Sequence, residues 1–169
     1  MKRQLITDGA NEIRDFTMSK CLTKYHGEIE YSENDIVQFE SGPFGFESNS
    51  RFLLLVRPAM KPIVFLQSLS TPALCFLTLP ILVVDRNYRL TVGTDDRRAA
   101  MLPMDRQPVI GDDVLCLAIV TLQQGLPATA NLMAPVVVNL GNRKAVQAIS
   151  SEGSYSHRHL FVQAAAACS

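Results

Sequence analysis

The sequence predicts an all-β fold, mainly antiparallel: a small barrel-like or sandwich domain with one short helix. Three observations carry this. Short apolar runs recur at intervals of roughly eight to fifteen residues, punctuated by Gly, Pro and polar clusters, the rhythm of strands joined by turns. Two runs, residues 114–122 and 129–139, are rich in β-branched residues and too short for buried helices, which points to strands covered on both faces. Only one segment, from Thr94, carries helix signals.

In chain order, residues 1–17 mix charges, Gly9 and isolated apolar residues without a period and read as a partly disordered N-terminal extension. Residues 18–161 read as a single domain. Within it, residues 21–31 alternate apolar and polar on either side of His26-Gly27, which supplies the positive φ of a tight hairpin turn. A strand follows at 35–39, then the loop Gly42-Pro43-Phe44-Gly45-Phe46-Glu47. Further strands are expected at 52–56 (fully buried), 63–68, 74–77, 82–84 and 88–92, with turns at 58–62 and 70–72. Thr94 is the expected N-cap of the helix, Asp95 and Asp96 suit its first turn, residues 97–102 continue it and Pro103 stops it. Residues 104–113 form a polar loop. In the ribbon at 129–139, Pro135 cannot donate to a ladder and marks a bend, bulge or edge, while the amides of Asn131 and Asn139 need backbone partners. Gly141-Asn142 turns the chain into a strand at 143–149, and residues 162–169, with alanines at 164–167, read as a loose tail.

Composition narrows the function. The chain has 169 residues, enough for one sizeable core, and 16 Lys plus Arg against 16 Asp plus Glu. Nucleic-acid binders show a basic excess, and this chain has none. A small nucleic-acid-binding β-barrel with base-stacking aromatics is nonetheless the alternative reading. Cys21, Cys75, Cys116 and Cys168 stand far apart without a CxxC, as reduced thiols do. No apolar stretch follows the basic start, and the apolar run 74–84 is broken by Thr78 and Pro80, so neither a signal peptide nor a membrane span is expected and the reading is cytoplasmic.

Catalytic signals are weak. His157 and His159 could share a metal on one side of an extended segment, but no further ligands show the spacing. Asp95-Asp96 and Asp112-Asp113 are explained by capping and solvation, and no nucleophile elbow, HExxH, GxGxxG or phosphate loop is present. No catalytic, cofactor or metal site is predicted. The loop at 42–47 is the remaining candidate. Pro43 and the flanking glycines stiffen it, so Phe44 and Phe46 either plug one end of the barrel or, with Glu47, form a partner-binding loop.

These residues resemble the FliW family of flagellar assembly factors. Tyr25-His26-Gly27-Glu28-Ile29-Glu30-Tyr31 is similar to the family's opening strand pair, and Asp35-Ile36-Val37-Gln38-Phe39 to its next segment. Gly42-Pro43-Phe44-Gly45-Phe46-Glu47 with Arg51-Phe52, then Phe65-Leu66-Gln67-Ser68, resemble two further motifs, and residues 130–139 and 155–159 the last two. The chain departs from the family in having Leu79-Pro80 where an aspartate-proline is usual, and in being neutral rather than acidic. The resemblance implies a compact β protein that is not an enzyme and needs no cofactor. It implies binding to the carbon storage regulator CsrA, a small RNA-binding translational repressor, so that flagellin mRNA is no longer silenced. It also implies chaperone-like binding to flagellin, which frees the repressor again, with no direct nucleic-acid or membrane contact. On the stiffness and aromatic character of their loop alone, and not from the resemblance, Phe44, Phe46 and Glu47 are the candidate contacts.

Overall fold

The computed structural model describes residues 17–161. The expected extension and tail, 1–17 and 162–169, lie essentially outside the described residues. The chain opens with the expected hairpin: β1 (Ser19–Thr23) and β2 (Gly27–Tyr31) pair antiparallel from Ser19↔Tyr31 to Thr23↔Gly27, and Gly27 takes φ 69° at the turn.

The barrel follows. Strands β3 (Ile36–Phe39), β4 (Arg51–Val56), β5 (Val64–Ser68) and β6 (Cys75–Pro80) form an antiparallel meander. A crossover carrying two short helices, α1 (Ile81–Val84) and α2 (Thr94–Ala99), leads to β7 (Val114–Thr121), which pairs with β6. Strands β8 (Thr129–Ala130) and β9 (Val136–Asn139) both pair antiparallel with β7, β8 near its C-terminal end and β9 near its N-terminal end. Strand β10 (Lys144–Gln147) then joins β9 to β3, the latter in parallel, and this closes the ring. Outside it, β11 (His159–Leu160) extends the sheet beyond β8.

The period-two alternation of the strands builds two cores. Facing inward, Phe39, Phe52, Leu66, Leu117, Val136 and Val138 fill the barrel, with the Phe39 and Phe52 rings edge to face at 5.4 Å. The other face of β7 and β9 presents Val114, Cys116, Ala118 and Val137, which are buried beneath Ile81, Tyr88, Val92 and Leu102 of the crossover. Both faces of the central strands are thus covered, as their uninterrupted apolar sequence requires. Each fully buried Leu or Phe contributes about 1.5–3 kcal/mol, so losing either layer would unmake the fold.

Several expectations are corrected. The strand at 52–56 is not fully buried: Phe52 and Leu53 are, but Val56 at the barrel rim is 51% exposed. The strand expected at 74–77 continues to Pro80, whose missing N–H falls at the ladder's last position. Residues 82–84 form part of helix α1, and 88–92 form no strand. There the backbone is satisfied by side chains instead: Gln107 accepts from Val92 N at 2.8 Å and donates to its carbonyl, and Tyr155 Oη accepts from Arg89 N at 2.8 Å. The second helix is capped by Gly93 rather than Thr94 and ends at Ala99, before Pro103 is reached. Asn139 Nδ2 donates to the carbonyls of Ala100 and Met101 there, and Met101 adopts φ 53°.

The hairpin seals the outer face of β5. His26 packs edge-on to Phe65 at 4.7 Å, its Nε2 lies 3.6 Å from Cys75 Sγ, and Lys24 N donates to Pro72 O at 3.0 Å. Burial, and then the Arg57 charge, hold the His26 pKa below its ordinary 6.5, while burial pushes the Cys75 thiol up to about 11. Because His26 is harder to protonate when docked than when free, docking is strongest above pH 6.5 and weakens as the pH falls through the lowered value. Amide exchange of β1 and β2, corrected for intrinsic rates, is therefore expected to show less protection at about pH 5 than at about pH 7.5, with barrel amides as reference. Equal protection at the two values would contradict this role for His26.

Candidate functional site

The loop between β3 and β4 holds two aromatic rings out on a backbone with almost no freedom. Gly42 is there because nothing larger fits: a Cβ would lie 2.1 Å from Asn49 O and 2.3 Å from Phe46 O. Two successive turns follow, with Phe46 N donating to Pro43 O at 2.7 Å and Asn49 N to Phe46 O at 2.8 Å, and Gly45 takes φ 82° at the third position of the first. The far end of the loop is tied to the turn after β5, where Asn49 Oδ1 accepts from the hydroxyls of Ser68, Ser70 and Thr71 at 2.8, 3.0 and 2.8 Å. The near end is tied to β10: Gln147 Oε1 accepts from Phe44 N at 2.9 Å, and Gln147 Nε2 donates to Ala134 O at 3.0 Å.

On this frame Phe44 is 52% and Phe46 41% exposed. The plug expectation therefore fails for Phe44 and holds only in part for Phe46, whose ring meets Phe76 edge-on at 5.2 Å at the barrel's end. Glu47 folds back so that its Oε1 accepts from Gly45 N at 2.8 Å, and this hydrogen bond holds its carboxyl below the usual range.

Beside the loop, an open cleft of about 580 Å³ runs between Phe44 and Glu47, the end of β3 at Glu40, β10 with the following Ile149, and helix α2 with Asp96. Burial, and then its neighbour Asp95, push the Asp96 carboxyl up. Among the described residues lining it, no cation is present, although Arg98 and Lys144 flank Glu40 on its other side. Carboxylates around an exposed phenyl ring and an isoleucine suit a basic surface that also carries an apolar anchor.

The other candidates disperse. His159 lies in β11 opposite Ala130, His157 is exposed in the preceding turn, and His26 is on the hairpin. Among the described residues no three His, Cys, Asp or Glu side chains gather as a metal site. Asp95 pairs with Arg98, and Asp113 with Arg106, whose guanidinium draws the Asp113 carboxyl down to about 2. Among the described residues no helix is long and apolar enough to cross a membrane. Sequence reasoning did not single out Gln147, Glu40, Asp96 or Ile149 as site residues. Gln147 alone carried a signal: it shares the inward face of β10 with Ala145, and a polar amide there must find partners.

Comparison with known proteins places this arrangement. Residues 20–161 match the family model described as FliW protein. The chain is 33% identical over 138 residues to the flagellar assembly factor FliW of Bacillus subtilis (strain 168), covering 81% of this chain and 92% of that protein. It is 36% identical over 141 residues to the FliW of Geobacillus thermodenitrificans (strain NG80-2), covering 83% and 93%. A crystal structure of the flagellar assembly factor FliW superposes with a TM-score of 0.72 at 33% identity, covering 84% of this chain and 96% of that one.

The double hydrogen bond of Gln147 is the checkable feature of the loop. Gln147→Ala would strip Phe44 N and Ala134 O of their partner and is expected to cost about 1–3 kcal/mol in chemical denaturation. A loss below about 0.5 kcal/mol would mean that the loop does not depend on it.

Proposed function

The chain belongs to the FliW family of flagellar assembly factors, and from that membership we propose that it is a non-enzymatic partner switch. In this reading it binds the translational repressor CsrA in the cytoplasm, relieves repression of flagellin mRNA, and exchanges the repressor for flagellin as a chaperone-like partner. The observation that carries it is the pinned loop, with Phe44 half-exposed at the edge of a cleft lined by Glu40, Glu47 and Asp96. A protein that binds RNA presents positive charge, so a carboxylate-lined cleft is complementary to it and repels the nucleic acid that competes for it. The formal net charge of zero hides this, because it sums over surfaces that a partner never touches together. The same cleft speaks against the nucleic-acid-binding alternative, since phosphates would meet carboxylates beside the exposed, rigidly held Phe44 ring.

The test is a titration of the purified chain with the CsrA of the same bacterium, followed by flagellin. Submicromolar binding that flagellin reverses is expected. Phe44→Ala should weaken repressor binding by about tenfold or more while leaving the thermal midpoint within about 2 °C of the unsubstituted protein, because the ring is half in solvent. Glu40→Lys with Glu47→Lys should weaken binding further at low salt than at high salt. Absence of binding at low salt would remove the repressor from this reading and leave flagellin alone to be tried.

A further inference from the structure

The acidic cleft meets its chemical complement within the same chain. Lys2 and Arg3 stand side by side with Leu5 and Ile6 just behind them, and the first carboxylate of the sequence comes only at Asp8. In the cleft the pattern is reversed, with Glu40, Glu47 and Asp96 around Phe44 and Ile149. Among the described residues none of these three carboxylates is in an ion pair, whereas Glu33, Asp95 and Asp113 are held by Arg51, Arg98 and Arg106. Residues 1–16 lie outside the described residues, and the family match begins at residue 20, so the segment is additional to the domain that the relatives share.

The length of chain permits a contact. Ser19 pairs with Tyr31 across the hairpin, about 5 Å away, and Glu40 follows Tyr31 by nine residues, at most about 32 Å of chain. Thr17 is therefore within about 45 Å of Glu40, while the fourteen residues from Arg3 to Thr17 reach about 50 Å when extended.

We propose that residues 2–6 dock in the acidic cleft of their own chain and compete there with an incoming basic partner. Lys2 and Arg3 meet the carboxylates, and Leu5 and Ile6 cover the exposed side chains of Phe44 and Ile149. Tethering makes a weak contact sufficient. At an effective concentration on the order of 1 mM, a segment whose free peptide binds at about 0.1 mM fills the cleft about nine-tenths of the time. A partner that needs the open cleft then binds about tenfold more weakly. The competition rests on the proposed role of the cleft; the docking itself does not.

The test compares the unsubstituted chain with a Lys2→Glu, Arg3→Glu double variant, whose changes precede the first strand. Amide resonances of Phe44, Gln147 and Ile149 are expected to differ between the two, with those of Val92 and Leu117 unchanged as reference. In about 0.5 M salt the unsubstituted chain should move toward the variant. Glu40→Lys with Asp96→Lys should release the segment as well, and combining both pairs of reversals should restore it, because a charge swap keeps the attraction. In the titration with CsrA, the double variant is expected to bind about tenfold more tightly than the unsubstituted chain. Identical cleft amides in the two chains, or equal CsrA affinity where CsrA binds, would overturn the proposal. So would sedimentation showing a dimer that the double variant dissolves, which would place the segment in the cleft of a second copy. CsrA binding to neither chain would remove the repressor alone, and the amide comparison then decides the docking.

Discussion

The structure depends on one strand having two neighbours on the same edge. Strand β7 gives its N-terminal half to β9 and its C-terminal end to β8, and the chain between those two pairings, residues 131–135, must leave the ladder and return. Pro135 is where it can do so, since it has no N–H to lose, and Asn131 holds the excursion together by accepting from Ala134 N at 2.9 Å while its own N–H donates to Ile119 O. The break has a consequence beyond barrel closure. It leaves Ala134 O free of the ladder, Gln147 takes it, and the other end of the same amide holds Phe44. A proline in β9's approach thus sets the position of a phenylalanine some ninety residues earlier in the chain.

That chain of contacts explains what the sequence could and could not tell. The two β-branched runs identified the central strands because burial on both faces leaves a direct trace in composition, and the hairpin at His26-Gly27 was legible because its turn chemistry is local. The crossover was misread for a related reason. Leu82-Val83-Val84 and residues 88–92 have strand-like composition, but Val84, Tyr88, Leu90 and Val92 pack as a lid over β7 and β9 while Leu82 and Val83 stay exposed, and propensity yields to that packing. The backbone of Arg89 and Val92 is met by Tyr155 and Gln107, partners that no local pattern announces. Tyr155 itself stacks on Tyr88 at 4.4 Å, so the motif at 155–159 contributes a clamp on the crossover.

The site was legible as a loop and not as a surface. Gly42, Pro43 and Gly45 show in sequence that Phe44 and Phe46 sit on stiff backbone. Whether the rings point into the barrel or out of it depends on Gln147, 103 residues away, and on Asn49 reaching the hydroxyls after β5. Charge was hidden in the same way. Glu40, Glu47 and Asp96 come from three separate elements, and their convergence into one cleft vanishes in a net charge of zero.

Rigidity of this kind has a use in recognition. A loop whose two ends are fixed by buried side chains has little conformational entropy left to lose, so the exposed ring presents its area at low ordering cost. Helix α2 lines the cleft, and between it and α1 Tyr88 and Val92 are sunk in the outer core, with Tyr88 Oη donating to Leu132 O at 2.9 Å. A partner that shifted one helix would have to pull these anchors out of close-packed surroundings before the other helix moved. The middle of the crossover therefore anchors α2 where it lines the cleft.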